Sequence, residues 1–214
     1  MLNCSKLLSL ILYVFFLVLP SPAGAHPHAW IDLRSYVVLD NDGNVSAIEA
    51  EWLFDDFYSL FVTAELGKDG ATEEAALKEL AKTNLNSLRE YDYFTEVRVD
   101  GEKVELGKVT EYDSELRNGR LWMRFIVPLK TTVDAISRRL TYAVFDPAYY
   151  IEILHLEGDV VGFTGVGAND CTALVVPPKP TTEAIMLAQA SEIDAKPDNA
   201  LGRIFAEQVE VSCR

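Results

Sequence analysis

From residue 30 to residue 40, apolar side chains return at alternate positions. Ile31, Leu33, Val37 and Leu39 fall on one face of an extended strand. The stretch DNDGN, residues 40–44, interrupts the pattern with turn chemistry. Alternation resumes in VSAIEAEWLF, where Ile48, Ala50, Trp52 and Phe54 share one side and Ser46, Glu49 and Glu51 mark a wetter one. The two segments predict a β-hairpin. Helical spacing then takes over. Residues 54–66 are apolar and aromatic, and Asp55 and Asp56 stand where acids favour a helix N-terminus. Glycines at 67 and 70 break that helix. Thr72 is a capping residue for a second one, running to about Glu90, with Glu73 and Glu74 in its first turn. Leu77, Leu80, Ala81, Asn84, Leu88 and Tyr91 line one face of it.

Strand patterns return after the helices. FTEVRV and KVELGKV flank the turn Asp100-Gly101. LWMRFIVPL, RLTYAVF and YYIEILHL are rich in branched and aromatic residues, and the turn Asn118-Gly119 precedes the first of these. Residues 158–167 are glycine-rich and read as a loop around a short strand. CTALVV reads as the last strand, PPKP stops it, and helices are expected over about 182–193 and 200–208. Strands, two inserted helices, strands and two terminal helices do not make the βαβ alternation of a doubly wound sheet. The order predicts one α+β domain over residues 26–214. It is a mainly antiparallel sheet or sandwich with a two-helix insertion at about 55–91 and C-terminal helices.

The first 25 residues have their own pattern. Lys6 is followed by the apolar run LLSLILYVFFLVL, then Pro20, Pro22 and the small-residue end Ala23-Gly24-Ala25. This is the layout of a cleaved secretory signal, and the run is shorter than the roughly 20 residues a spanning helix needs. Cleavage after Ala25 is expected to release an exported protein that does not span the membrane and that begins at His26. The chain carries a net charge of −14, and loss of Lys6 makes it one unit more negative. Such a chain repels nucleic acid and anionic surfaces and is compatible with cations or a basic partner, although acidity also simply keeps an exported protein soluble. Cys4 leaves with the signal. Cys171 and Cys213 remain, and in an oxidising compartment an even pair reads as a disulfide. It is expected to tie the C-terminal helical region to a strand, closing a loop of about 40 residues and contributing about 3–4 kcal/mol.

Motifs for nucleotide binding, nucleophile elbows and zinc hydrolysis are absent from the sequence. The sharpest chemical feature is AHPHAWID. A mature N-terminal His26 offers its α-amine and its ring to one metal ion, the amine losing its proton near its ordinary pKa of about 7.7–8.0. His28 or His155 would add a third nitrogen, and such sets suit nickel, cobalt, zinc or copper. Pro27 has no amide hydrogen, which removes the square-planar copper and nickel geometry that needs deprotonated amides. Asp55 and Asp146 are candidate oxygen ligands. Each residue also has a plain structural reading: His26 and His28 as a solvated chain start, His155 as a core or sheet-edge residue beside Ile151 and Ile153, Asp55 as a helix-start acid, and Asp146-Pro147 as a turn. Asp55, Asp56 and Asp146 could serve acid–base chemistry, but no nucleophile or pocket for them is legible.

HPHAWID, WLFDDFYS, NLNSLREYDYFT and FDPAYY occur in that order, and together they resemble the family known as domain of unknown function 1007. The resemblance covers nearly all of the mature chain. It implies an exported bacterial protein of the kind often labelled as the periplasmic component of an uncharacterised ABC-type transport system, in a family associated with nickel, cobalt or zinc. By position, His26 and His28 match the family's opening HPH, Trp52 and Asp55 its W-x-F-D, and Asp146 and Tyr149 its DP-x-YY. Some relatives carry a calcium-loop-like DxNxDG segment. Here the matching stretch is ELGKDGATEEAA, with Glu65, Gly67 and Ala76 at the first, third and twelfth positions, so no calcium is expected. The reading that follows is a non-enzymatic periplasmic protein that binds or delivers a divalent transition metal for an inner-membrane transporter component. The alternative is a metal-free interaction module docking on a membrane transporter or sensor.

Overall fold

The computed structural model describes residues 28–66, 72–158, 160–190 and 199–214. The signal segment, its cut after Ala25, His26 and the centre of the calcium-loop-like stretch therefore lie outside the described residues. The expected hairpin forms from β1 (Ala29–Leu39) and β2 (Val45–Phe54), paired antiparallel from Ile31↔Phe54 onward. The alternation read in β1 is the burial pattern: Ile31, Leu33, Val37 and Leu39 are buried. The insertion follows as α1 (Asp56–Glu65) and α2 (Glu73–Leu88), then a 3-10 turn over Arg89–Phe94. Asp55 caps α1 by accepting the N–H groups of Phe57 and Tyr58, and Thr72 caps α2 by accepting that of Ala75. Leu77, Ala81 and Leu85 are the buried stripe of α2.

The later strands are β3 (Thr95–Val99), β4 (Glu102–Lys103), β5 (Tyr112–Arg117), β6 (Arg120–Val133), β7 (Leu140–Val144), β8 (Ile151–His155), β9 (Val161–Thr164), β10 (Cys171–Val176) and β11 (Gln208–Cys213). Between β10 and β11 lie α3 (Thr182–Ala190) and α4 (Asn199–Phe205). One sheet runs β5-β6-β2-β1-β8, with β9 also on β1, and the other runs β10-β11-β7-β3-β4. Pairing is antiparallel except where β8 and β9 lie parallel to β1. The sheets share one apolar core: Ile31, Leu33 and Val37 of the first sheet pack in one cluster with Val97, Leu140 and Val209 of the second. This is the expected α+β domain, in its sandwich form.

Four local expectations are corrected. KVELGKV forms only β4 and an isolated bridge, Leu106↔Leu129, and the strand actually hydrogen-bonded to β6 is YDSELR, whose charges sit on a sheet edge. The last strand is β11, not β10, because VEVS alternates and has β7 and β10 to pair with. The Cys171–Cys213 disulfide is present, but it joins two strands across a directly paired position and not a helical region to a strand. Glu49, expected on a wet face, is buried and held by two 2.6 Å bonds from Arg124 on β6. Among the described residues no helix is long and apolar enough to cross a membrane.

Candidate functional site

The segment that starts at His28, the W-x-F-D, the Glu-Tyr-Asp-Tyr-Phe turn and the Asp-Pro-x-Tyr-Tyr turn meet at one end of the first sheet. β1 starts there, β2 ends there and β8 starts there. The His28 N–H donates to the Tyr150 carbonyl at 2.9 Å, and the two rings stack with centroids 4.7 Å apart. The Trp30 N–H donates to Asp55 Oδ2 at 2.9 Å, and the Asp55 N–H returns a bond to the Trp30 carbonyl. The Phe145 N–H donates to the Phe94 carbonyl, which pins the turn after α2 to the end of β7.

The two acids expected as metal ligands are engaged in building this end. Asp55 Oδ1 takes the N–H groups of Phe57 and Tyr58 while Oδ2 takes that of Trp30. Asp146, almost fully buried, accepts the Ala148 N–H on Oδ1 and the N–H groups of Tyr150 and Ile151 on Oδ2. A carboxylate with this many backbone donors holds a turn open at a fixed shape. Helix α4 closes over that turn. Gly202 lies so near that a Cβ there would stand 2.0 Å from the Asp146 carbonyl oxygen. Strain gathers here too. Asp92, Tyr93, Phe94 and Tyr149 adopt φ values of 53–57°, in the left-handed region that non-glycine residues avoid.

Inside this end, between the first sheet and the helical insertion, lies a cavity of about 160 Å³. Its floor is buried and aromatic: Trp52, Phe54 and Phe94, with Met123. The Trp52 ring stacks near Phe94 at 6.2 Å and meets Phe125 edge-on at 4.9 Å. Tyr58, Asn84 and Ser87 form a polar rim that reaches solvent. Trp52 is 1% exposed, and its indole N–H has no acceptor among the described residues. A buried donor left so costs about 1–3 kcal/mol.

His155 is elsewhere. Its register partner on β1 is Leu33, five residues beyond His28, or about 17 Å along a strand. The two residues offered as alternatives for the third nitrogen therefore lie well apart. Its ring bridges the two sheets instead. Nδ1 lies 2.8 Å from Glu207 Oε2, and Nε2 lies 3.0 Å from Ser35 Oγ, which is 2.6 Å from the Tyr142 hydroxyl. The Glu207 carboxylate also accepts the His155 backbone N–H at 2.7 Å. An ionised Glu207 only accepts, so Nδ1 carries hydrogen; in the neutral ring Nε2 then accepts from Ser35, and Ser35 from Tyr142. Burial raises the Tyr142 phenol well above its ordinary range, which keeps it a donor. Burial also pushes Glu207 up, but the bonds from the His155 ring and backbone outweigh it and leave the carboxyl below the usual glutamate range.

Sequence reading missed this network because its members lie 107, 120 and 52 residues apart. It has the order of groups in a hydrolytic Ser–His–acid triad. Ser35, however, is 0% exposed and already bonded on both sides, so a substrate carbonyl has no approach to its oxygen. The arrangement works as a polar clip between the sheets. Among the described residues no group of three or more His, Cys, Asp or Glu side chains forms a metal cage.

A family model described as "Protein of unknown function (DUF1007)" matches residues 11–213. An uncharacterized protein of Haemophilus influenzae (strain ATCC 51907 / DSM 11121 / KW20 / Rd) is 24% identical over 193 residues, covering 88% of this chain and 91% of that protein. An uncharacterized 15.5 kDa protein in the trpE 3'region of Spirochaeta aurantia is 28% identical over 90 residues, 42% of this chain and 64% of the relative. Neither printed name states an activity.

Proposed function

The chain belongs to the DUF1007 family of proteins of unknown function, and from that premise we propose that it is an exported, non-enzymatic accessory protein of a transport system, of the ABC type that the family resemblance implies. It binds a divalent transition metal ion (nickel, cobalt, zinc or copper) at its processed N-terminus and hands it to an inner-membrane component. The observation that carries this reading is the position of His28. It is exposed, yet its backbone and ring are held against Tyr150 at the sheet end where the other family motifs meet. That fixes position 28 two residues from the expected mature start.

The donor set is smaller than the sequence implied. Asp55, Asp146 and His155 spend their lone pairs inside the fold. The ligands are then the His26 amine and ring with the His28 ring. Three nitrogens leave coordination positions open, as suits cargo that must be released. Binding displaces the amine proton, so affinity falls as pH drops below about 8. The test is calorimetric titration of nickel, cobalt, zinc and copper into correctly processed protein, into the same protein with one residue added before His26, and into His28→Ala. The reading expects a drop of at least about tenfold in both altered forms. Equal affinity in all three removes the N-terminus as the site.

A second reading, the metal-free docking module, is favoured by a different observation. Phe57, Leu60 and Phe61 of α1 are 85%, 69% and 73% exposed, beside a half-exposed Trp30. Large apolar side chains gathered in this way mark interaction surfaces. This reading expects a membrane transporter or sensor to be retained by wild-type protein and lost with Phe57→Ser/Phe61→Ser, with no metal required.

A further inference from the structure

We infer that β10 is a docking edge for a second copy of this chain, the two strands pairing antiparallel with Leu174 on the twofold axis. The inference is independent of the metal and transporter readings. It starts from the hydrogen bonds of the strand. β10 ends its sheet and pairs with β11 alone. The Arg214 N–H donates to the Asp170 carbonyl, so 170 is a bonded position of that ladder. Cys171 and Cys213, with Cα atoms 4.0 Å apart, form the next and unbonded pair. By alternation Thr172, Leu174 and Val176 bond to β11, while Cys171, Ala173 and Val175 turn their backbone groups away from it. The Cys171 N–H is taken by the Ala168 carbonyl. The N–H and C=O groups of Ala173 and Val175 have no backbone partner among the described residues.

Open edges recruit strands, and proteins guard them with charge, shortness or a covering group. The other edges of this molecule are guarded. β5 carries Asp113, Glu115 and Arg117. β4 is only Glu102 and Lys103, and β9 has four residues. On β8 the Asp146 and Glu207 carboxylates take the N–H groups of Ile151 and His155. β10 is CTALVV, with neither charge nor proline, in unbroken register with β11, and its Leu174 is 60% exposed. Such an edge takes an extended strand through backbone bonds. A second copy is favoured because β10 fits itself. With Leu174 opposite Leu174, each Ala173 exchanges both backbone bonds with the Val175 of the other copy. The exposed leucines then cover one another, and Thr172 meets Val176 as a β-branched cross-strand pair. Asp170 of each copy stands across from Pro178 and next to Lys179 of the other. That opposite charge counts in a chain of net charge −14, whose copies otherwise repel. Glu210, the neighbour of Leu174 on β11, is already paired by Arg139 at 2.9 Å.

The experiment is sedimentation velocity of the exported protein from about 1 μM to about 1 mM, combined with amide hydrogen exchange of β10. The expected result is a reversible monomer–dimer equilibrium within that range. The Ala173 and Val175 amides should exchange freely in the dilute sample and become protected in the concentrated one. Those of Thr172, Leu174 and Val176, bonded to β11, should be protected in both. Leu174→Lys changes an exposed position and puts two like charges on the axis. It is expected to weaken the dimer at least about fivefold while circular dichroism and Tm stay unchanged. Leu174→Cys is expected to cross-link two copies under mild oxidation, since opposed residues of an unbonded pair have Cα atoms about 4.5 Å apart. A monomer at every concentration, a dimer whose Ala173 and Val175 amides stay unprotected, or one that Leu174→Lys leaves undiminished overturns the docking edge. A dimer that protects those amides but gives no Leu174→Cys cross-link overturns the register.

Discussion

Two places in this molecule bury polar groups, and they treat them in opposite ways. In the clip of Ser35, Tyr142, His155 and Glu207, each side chain has a partner at 2.6–3.0 Å and the ring of His155 is bonded on both sides. At the motif end, the Trp52 N–H has none among the described residues, four residues sit at left-handed φ, and aromatic side chains of α1 face solvent. The clip contains the residues a chemist would first suspect of catalysis, yet it is sealed. The motif end has less reactive residues, but it has space, strain and an unspent donor. What a group can do depends on whether its bonds are already used, more than on its type.

The comparison can be tested by perturbing each side in turn. The largest effect is expected from Cys171→Ser/Cys213→Ser, which touches neither region. Loss of the cross-link should cost about 3–4 kcal/mol in denaturant unfolding. Asp146→Ala is next, at about 3 kcal/mol, because it leaves three backbone donors of a buried turn without their acceptor.

Glu207→Gln targets the clip and is read by pH. The folded carboxyl lies below its unfolded value, so its contribution is present above the unfolded pKa of about 4.3 and is lost as pH falls through the folded value. Wild type and variant should therefore differ most near neutrality, at about 1–2 kcal/mol, and converge on acidification. Acid denaturation curves that stay parallel would remove Glu207 from the account. Phe57→Ser/Phe61→Ser is expected to have the smallest effect on folding, under about 0.5 kcal/mol, since both residues already face solvent.

Much of the motif end could be read one piece at a time. The alternation in residues 45–54 marks β2, Thr72 and Asp55 announce the starts of their helices, and Asp146-Pro147 announces its turn. These are local signals, in which side chain and backbone group lie a few residues apart. The errors were of another kind. YDSELR carries too much charge to look like a strand, but an edge strand tolerates charge, and only β6 beside it shows that an edge is there. Residue type alone names Asp55 and Asp146 as candidate ligands; only the structure adds that their oxygens accept backbone N–H groups.

The amino-acid sequence by itself determined the fold class, the hairpin, the helical insertion and the pairing of two cysteines, because period, capping and composition act over a few residues or need no geometry. Only the tertiary structure decided which chemically able groups share a place. It set His155 about 17 Å along the strands from His28, brought Ser35 to Tyr142 across 107 residues, and left the Trp52 N–H without an acceptor among the described residues. Strand register and sheet packing fix those distances, and both arise from contacts far apart in the chain.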